Sequence, residues 1–325
     1  HPLSVGVVGT YSRESRPRTA NDSPLLADTG IGFVPSFRFG NPFFLQPTVD
    51  ELIWRTQLKD NLSLVLGQHT IKVGGEWMHT HNDQVFRGFF TGRFLFDSVT
   101  SFLRYTSPAA PGGFGPNTVG CSNGTYVTLP ASCPAGTTTN GGPLLLYLQG
   151  AGRTGLATDA AGASVISNDE YSLFVQDQWQ VRSNMSLQYG LRWDAQRMPE
   201  TVDPQTTAFA SFLTDPRFPS DGTIPSQWAM FQPRVGFTWD VAGDGKSVIR
   251  ASAGMYFARQ NMLSQVGTVT TNGLQQQTIF VNTDNLRQFG GTAPVWPNLL
   301  TPTPLPGGSF PLFSGVRVFD KDYEN

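Results

Sequence analysis

From Met185 to Asp194 the side chains change character at every step. Met185, Leu187, Tyr189, Leu191 and Trp193 stand on one parity, and Ser186, Gln188, Gly190, Arg192 and Asp194 on the other. A period of two is the repeat of a β-strand whose two faces meet unlike surroundings, and a helix cannot present it. The preceding stretch repeats the pattern. Tyr171, Leu173, Val175, Trp179 and Val181 oppose Ser172, Gln176, Gln178 and Gln180, with Asp177 intruding on the apolar side and Phe174 on the polar side. Arg182, Ser183 and Asn184 separate the two strands, a connection that forces an antiparallel hairpin.

The device recurs. Val235, Phe237 and Trp239 oppose Arg234, Gly236, Thr238 and Asp240; a Gly243-Asp244-Gly245 turn follows, and Ser247 to Phe257 alternates again. Upstream, Asn61 to Leu66 and Ile71 to Trp77 flank the turn residues Gly67, Gln68, His69 and Thr70. Leu3 to Arg13, Asp50 to Gln57, Phe86 to Asp97 and Thr268 to Val281 are further strand candidates, while Ser98 to Tyr105 has helical character. The connections at residues 106–168, 195–231 and 282–315 are long and turn-rich, and are expected to be structureless loops.

Composition separates two settings for such hairpins. Charged residues make up 14% of the 325-residue chain, against about 25% in an average soluble domain, and aromatics reach 12%. A helical membrane span needs about 20 apolar residues in a row, and the strongest apolar run here is Leu144 to Leu148. A mean hydropathy of -0.20 suits strands in which only alternate residues face lipid. Compact soluble domains rarely carry several loops beyond about 15 residues, whereas membrane barrels alternate short periplasmic turns with long extracellular loops. The expected fold is therefore all-β: an antiparallel transmembrane barrel in the outer membrane, with Ser183 and Asp244 on the periplasmic side and the cysteine loop outside. A soluble β core is the alternative reading of the same alternation.

On the barrel reading, Lys72, Glu76, Arg192, Asp194, Arg234, Asp240 and Arg250 face a hydrated lumen. The other parity carries aliphatics bracketed by Trp77, Trp179, Trp193, Trp239, Tyr171 and Tyr189, as in an interfacial aromatic girdle. Asp177 is the local objection. If Ile71 to Trp77 climbs and Tyr171 to Val181 descends, Phe86 to Asp97 is no simple crossing strand and is expected to extend above the bilayer.

Cys121 and Cys133 lie in a Gly-, Ser-, Thr- and Pro-rich segment with no His or second cysteine pair nearby, and read as a loop disulfide in an oxidising compartment. His79 and His81 share a strand face but lack an identifiable third ligand, and read as a solvated strand end. The carboxylates Asp83 with Asp97 and Asp240 with Asp244 read as lumen or turn residues. No phosphate-binding glycine loop, nucleophile elbow or zinc motif is present, so neither catalysis nor a cofactor nor a metal is expected. With a net charge of -2 and a pI near 6.1, and with Lys and Arg scattered singly, nucleic acid is not an expected partner.

The segments HTIKVGGEW (69–77), RGFFTGRFLFDSVTSFLRY (87–105), YSLFVQDQWQV (171–181), QPRVGFTWD (232–240) and GDGKSVIRASAGMYF (243–257) together resemble the barrel of TonB-dependent receptors, in particular the Oar-like group that carries a carboxypeptidase-regulatory-like domain. The resemblance implies a 22-stranded barrel closed by an N-terminal plug and energised through a TonB box. It makes residues 1–325 about half of such a barrel, without plug, TonB box or terminal strands, and both ends read as cut. The implied partners are outer-membrane lipid, the TonB energy-coupling complex through the missing N-terminal part, and an unidentified extracellular ligand. Loops 106–168 and 195–231 would carry recognition, with Tyr126, Tyr147 and Trp228 as aromatics able to stack on a sugar or peptide. Substrate passage is the leading functional reading; a non-transporting adhesion or structural barrel and a membrane-embedded hydrolase are the others.

Overall fold

The computed structural model describes residues 2–19, 26–32, 34, 36–41, 48–87, 90–107, 115–116, 118–128, 131–140, 142–152, 156–207, 209–270, 274–281, 294–299 and 317–324. In chain order its strands are β1 (Leu3–Ser15), β2 (Arg18–Thr19), β3 (Asp28–Ile31), β4 (Phe37–Phe39), β5 (Thr48–Leu66), β6 (His69–Phe86), β7 (Arg93–Phe96), β8 (Thr118–Gly120), β9 (Tyr126–Thr128), β10 (Leu144–Gly152), β11 (Ala163–Arg182), β12 (Met185–Arg197), β13 (Gln227–Asp240), β14 (Val248–Gly254) and β15 (Gln276–Val281). The helices are α1 (Val99–Thr106), α2 (Thr158–Gly162) and α3 (Met262–Thr270).

The long strands form one sheet in the order β1-β5-β6-β11-β12-β13-β14, antiparallel at every junction, with β2 beside β5. The sheet is open, with β1 and β14 at its edges: a partial barrel wall. Three tight connections lie at one end, namely Gly67-Gln68, Ser183-Asn184 and residues 241–247. Gly67 has φ 60°, and Gly243 and Gly245 have φ 73° and 75°, conformations that glycine adopts without a Cβ penalty. His69 and Thr70, read from sequence as turn residues, instead open β6. Every long connection lies at the opposite end.

The register carries the alternation across the sheet. Leu173, Val175, Leu191, Val235 and Ile249 stand on one face and are 43–58% exposed, with no second sheet or helix of the described residues over them. Rows of this face run from Leu66, His69, Trp179, Leu187 and Phe237 at the short-turn end up to Leu58, Trp77 and Tyr171. The stretch from Tyr171 to Trp179 matches the ~9–11 residues that a tilted strand uses to cross hydrocarbon. β5, β6 and β11 are 19, 18 and 20 residues long, so about half of each projects past the band at the long-loop end.

There the connections build a second structure. β3 and β4 come from the first connection, β7 and β10 from the one between β6 and β11, and β15 from the chain beyond β14; together they form a sheet in the order β15-β10-β7-β3-β4. The packed hydrophobic core of the described residues lies here, not in the wall: Phe94, Phe96, Tyr105, Leu144 and Tyr147 are each at most 2% exposed. Their rings meet edge-on or tilted at 4.7–6.0 Å, apart from the stacked Phe94–Phe96 pair. Burial raises the Tyr105 phenol, and its hydroxyl donates to the Pro294 carbonyl at 2.6 Å. Buried Asp28 receives Arg38 and Arg93, each at 2.6 Å.

Several sequence expectations change accordingly. Residues 106–168 and 195–231 are not structureless: the first holds β8, β9, β10, α2 and the start of β11, the second the end of β12, two 3-10 turns and the start of β13. The Leu144–Leu148 run has the Phe94–Phe96 pair to pack against, which folds a segment whose composition reads as loop. Residues 282–315 lie outside the described residues except for 294–299. Phe86–Asp97 is not one strand: β6 ends at Phe86, and β7 belongs to the cap, above the band as anticipated. Thr268–Val281 is likewise not one strand, because α3 runs through Thr270 and β15 starts at Gln276.

The cap is tied to the wall by Arg87, which follows β6 and binds Asp50 of β5 at 2.9 Å and Asp159 of α2 at 2.5 Å. The hydrogen bond from Arg87 holds the Asp159 carboxyl below its usual range. A depressed carboxyl contributes stability above its unfolded pKa and loses it as pH falls through the lower folded value. The clamp therefore persists through neutral pH and releases only at pH below the usual carboxylate range. Pepsin cleavage between residues 87 and 162 is expected to rise below that point, and Arg87→Gln is expected to abolish the threshold. Separately, Phe94→Ala leaves a cavity in the cap core and is expected to destabilise it by about 3–5 kcal/mol. The cap would become sensitive to protease at neutral pH while the wall keeps its heat-modifiable gel mobility.

Candidate functional site

The polar face of the wall is continuous across β5 to β14. Glu76, Ser172 and Asp194 sit side by side in one row, followed toward the short turns by Gly74, Phe174, Arg192 and Gln232, then by Lys72, Gln176, Gly190 and Arg234. Asp194 is the hub. Arg192 Nε donates to both of its carboxylate oxygens at 2.9 and 3.0 Å, and Ser172 Oγ and Gln232 Nε2 donate to it as well. Arg192 Nη2 also donates to Ser172 Oγ at 2.7 Å. Arg234 donates to Gln232 Oε1 at 3.1 Å and lies 4.6 Å from the Tyr256 ring centroid.

Of the seven polar residues singled out in the sequence, three are thus joined in one network: Arg192 and Asp194 directly, and Arg234 through Gln232. Glu76 lies apart and accepts from Gln57 at 2.6 Å. Lys72 stands in the same row as Arg234, and Arg250 is exposed beside Thr238 near the short turns. Asp240 is drawn into the β13–β14 turn, where its two oxygens accept from the Gly243 and Gly245 amides at 3.0 and 2.8 Å.

Phe174 breaks the polar parity for a local reason. Its ring covers Gly74 of the neighbouring strand: a Cβ on Gly74 would stand 2.5 Å from the Phe174 ring and 2.5 Å from the Asp60 carbonyl. Between Phe174 and Tyr256 the face holds a groove of about 470 Å³ whose floor includes Gly190 and Gly236. Exposed Gln176, Gln178 and Gln188 project beside that floor. Sequence reading passed over these amides, which look like generic polar-parity residues until the glycines place them around a hollow.

Nearer the long-loop end the same face is covered. The chain past β14 turns back over it: Gln196 donates to the Gln260 carbonyl at 3.0 Å and accepts from the Gln260 amide at 3.1 Å, and Arg259 meets Glu170 at 2.5 Å. α3 packs on β11, with Gln265 fully buried. Thr80, Asn82, Ile166 and Asn168 lie buried on this half of the face, whereas Gln176 and Gln178 below it are exposed. This strap had no expectation in the sequence, where α3 overlapped a strand candidate.

Asp177 and the histidines on the apolar face have partners, whereas Asp60, between Leu58 and Leu62 on the same face, is exposed. Asp177 Oδ2 lies 2.6 Å from His69 Nδ1 and accepts from the Tyr189 hydroxyl at 2.8 Å, while His69 stacks on Trp179 at 5.4 Å, at the short-turn edge of the band. His79 lies 2.9 Å from Asp169, whose same oxygen accepts from Trp77 Nε1, and His81 lies 2.8 Å from Ser167 Oγ. The two histidines engage different groups, and among the described residues no set of three His, Cys, Asp or Glu is arranged to hold a metal.

Cys121 and Cys133 are joined as a disulfide in the cap, with a Cα–Cα distance of 5.8 Å, around the β8–β9 hairpin. The aromatics considered for ligand stacking have different situations. Tyr147 is fully buried and unavailable, Tyr126 lies under the Arg104 guanidinium at 4.1 Å, and Trp228 is 52% exposed and stacks on Tyr171 at 6.3 Å.

Residues 8–325 match the family model for the outer membrane beta barrel domain. The chain belongs to that family. No curated protein and no solved structure gives a significant match. Membership places the protein in the bacterial outer membrane, where a barrel turns its apolar parity to lipid. Outer-membrane barrels as a class carry short turns at the periplasmic end and long loops outside the cell.

Removing the Asp194 carboxylate leaves Arg192, Ser172 and Gln232 without their common acceptor. Asp194→Ala is expected to lower the stability of the barrel by about 2 kcal/mol, less than the ~3–5 of a fully buried pair because this one is partly exposed. The check is a shift in the urea midpoint, with unchanged slope, of the protein in lipid vesicles.

Proposed function

We propose that the chain is part of a receptor barrel of the TonB-dependent type, and that its polar face lines the path of a substrate crossing the outer membrane. Lys72, Glu76, Arg192, Asp194, Arg234 and Arg250 are the lumen residues of that path. The observation that carries the reading is the contrast between the two halves of the polar face. The lower half is polar and exposed, and the upper half is covered by the strap of Arg259, Gln260 and α3. A conduit needs such a hydrophilic wall and an entrance that is not simply open. The folded cap supplies a rigid outward surface for capture, and the five sequence segments resembling the TonB-dependent group support energised rather than passive passage.

The test uses the full-length protein in its own cell. Cysteine-directed cross-linking between the segment preceding the barrel and the periplasmic domain of TonB is expected to give a specific adduct that increases when substrate-containing medium is supplied. Absence of any adduct, with the barrel correctly inserted, would contradict the TonB-dependent reading and favour an adhesion or structural role.

A further inference from the structure

The groove between Phe174 and Tyr256 combines three features that the conduit reading alone does not require. The first is charge. On the lower polar face Lys59, Lys72, Arg192, Arg234 and Arg250 stand against Glu76 and Asp194, since Asp240 is held in its turn. Asp194 answers Arg192, and among the described residues no carboxylate lies within ion-pair distance of Lys59, Lys72, Arg234 or Arg250. Lys59 and Arg234 both line the groove.

The second feature is hydrogen-bonding capacity. Gln176, Gln178 and Gln188 project from adjoining positions, with Gln178 directly opposite Gln188, and among the described residues no hydrogen bond engages their side-chain amides. Each offers paired donors and an acceptor, the complement of a vicinal diol. The third feature is two aromatic rings on an otherwise polar face, Phe174 laid over Gly74 and Tyr256 beside Gly254, where a Cβ would come within 3.3 Å of the Tyr256 ring. Tyr256 is 72% exposed. The glycine floor at Gly190 and Gly236 lets a flat ring approach the backbone.

We infer that this groove is a binding site for an acidic oligosaccharide: sugar rings lie on Phe174 and Tyr256, hydroxyl groups bond to the three glutamines, and carboxylates meet Arg234 and Lys59. The site rests on the polar face being the lumen, and it gives that path a substrate class. A peptide would use the cations but leave the side-chain amide ladder without matching diols. A neutral glucan would use the ladder and leave the cations unanswered.

Isothermal titration of the purified full-length protein with trigalacturonate, maltotriose and triglutamate tests the assignment. Trigalacturonate is expected to bind at least about tenfold more tightly than either of the others, a ratio set by one or two charge-assisted hydrogen bonds. Arg234→Gln and Gln178→Ala are each expected to weaken it about tenfold, while Arg234→Lys keeps most of the affinity; unaltered heat-modifiable mobility certifies that each variant is folded. Equal binding of maltotriose or of triglutamate, no binding of trigalacturonate, or undiminished binding by the folded Arg234→Gln and Gln178→Ala proteins would overturn the inference. Because titration in detergent needs no energy coupling, binding without a TonB adduct would remove the transport reading alone, and an adduct without binding would remove the site alone.

Discussion

A polypeptide in hydrocarbon has no water to satisfy its amide groups, so each N–H and C=O must find a partner within the protein. In this chain the antiparallel ladder does so for every strand between the edges β1 and β14, and the remaining properties of the wall follow. Once the backbone is committed to strands, side chains can differ only by parity. One parity meets lipid and the other meets water. The aliphatics that would fill a soluble core stand exposed instead, and Leu173, Val175 and Leu191 are stable there only because hydrocarbon replaces a second layer of protein.

With the lipid face excluded from internal packing, the chain gathers its buried apolar side chains where water lies on all sides. That place is the cap, in which Phe94, Phe96, Tyr105, Leu144 and Tyr147 form a conventional core. Two kinds of folding physics thus meet within one chain. The wall is organised by hydrogen bonding and lipid, the cap by hydrophobic burial, a disulfide and the Asp28 ion cluster. Arg87 and the strap are the joints between them. The polar face divides at the same level, exposed beside the membrane band and covered beneath the strap.

The wall was legible in the sequence because its signal is local: parity within a strand and turn residues between strands. The segments Met185–Trp193 of β12 and Val235–Trp239 of β13 read correctly for that reason. Their ends read short, since β6 and β11 continue past the girdle into water, where both faces turn polar and periodicity fades. The cap was illegible because its strands are three to nine residues long and pair across distant segments, as β3 does with β7 and β15 with β10. Nothing in Thr118–Thr128 or in Arg93–Phe96 announces a partner. The groove was half legible: parity placed Arg192, Asp194 and Arg234 on one face, but the hollow depends on Gly190 and Gly236 lying in adjacent strands. Asp240 shows the limit of parity, because a residue on the polar side can still be claimed by the turn next to it.

Everything in the wall depends on opposite parities of one strand touching hydrocarbon and water. Spin labels placed singly from Leu173 to Gln178 on β11 and from Gln188 to Arg192 on β12, in the full-length protein in outer-membrane lipid, report this directly through collision with oxygen and with a water-soluble nickel complex. Strict alternation is expected: oxygen-accessible at Leu173, Val175 and Leu191, nickel-accessible at Gln176, Gln178 and Gln188. Equal accessibility of both parities to the nickel complex, or protection of the leucine and valine positions from both agents, would contradict it.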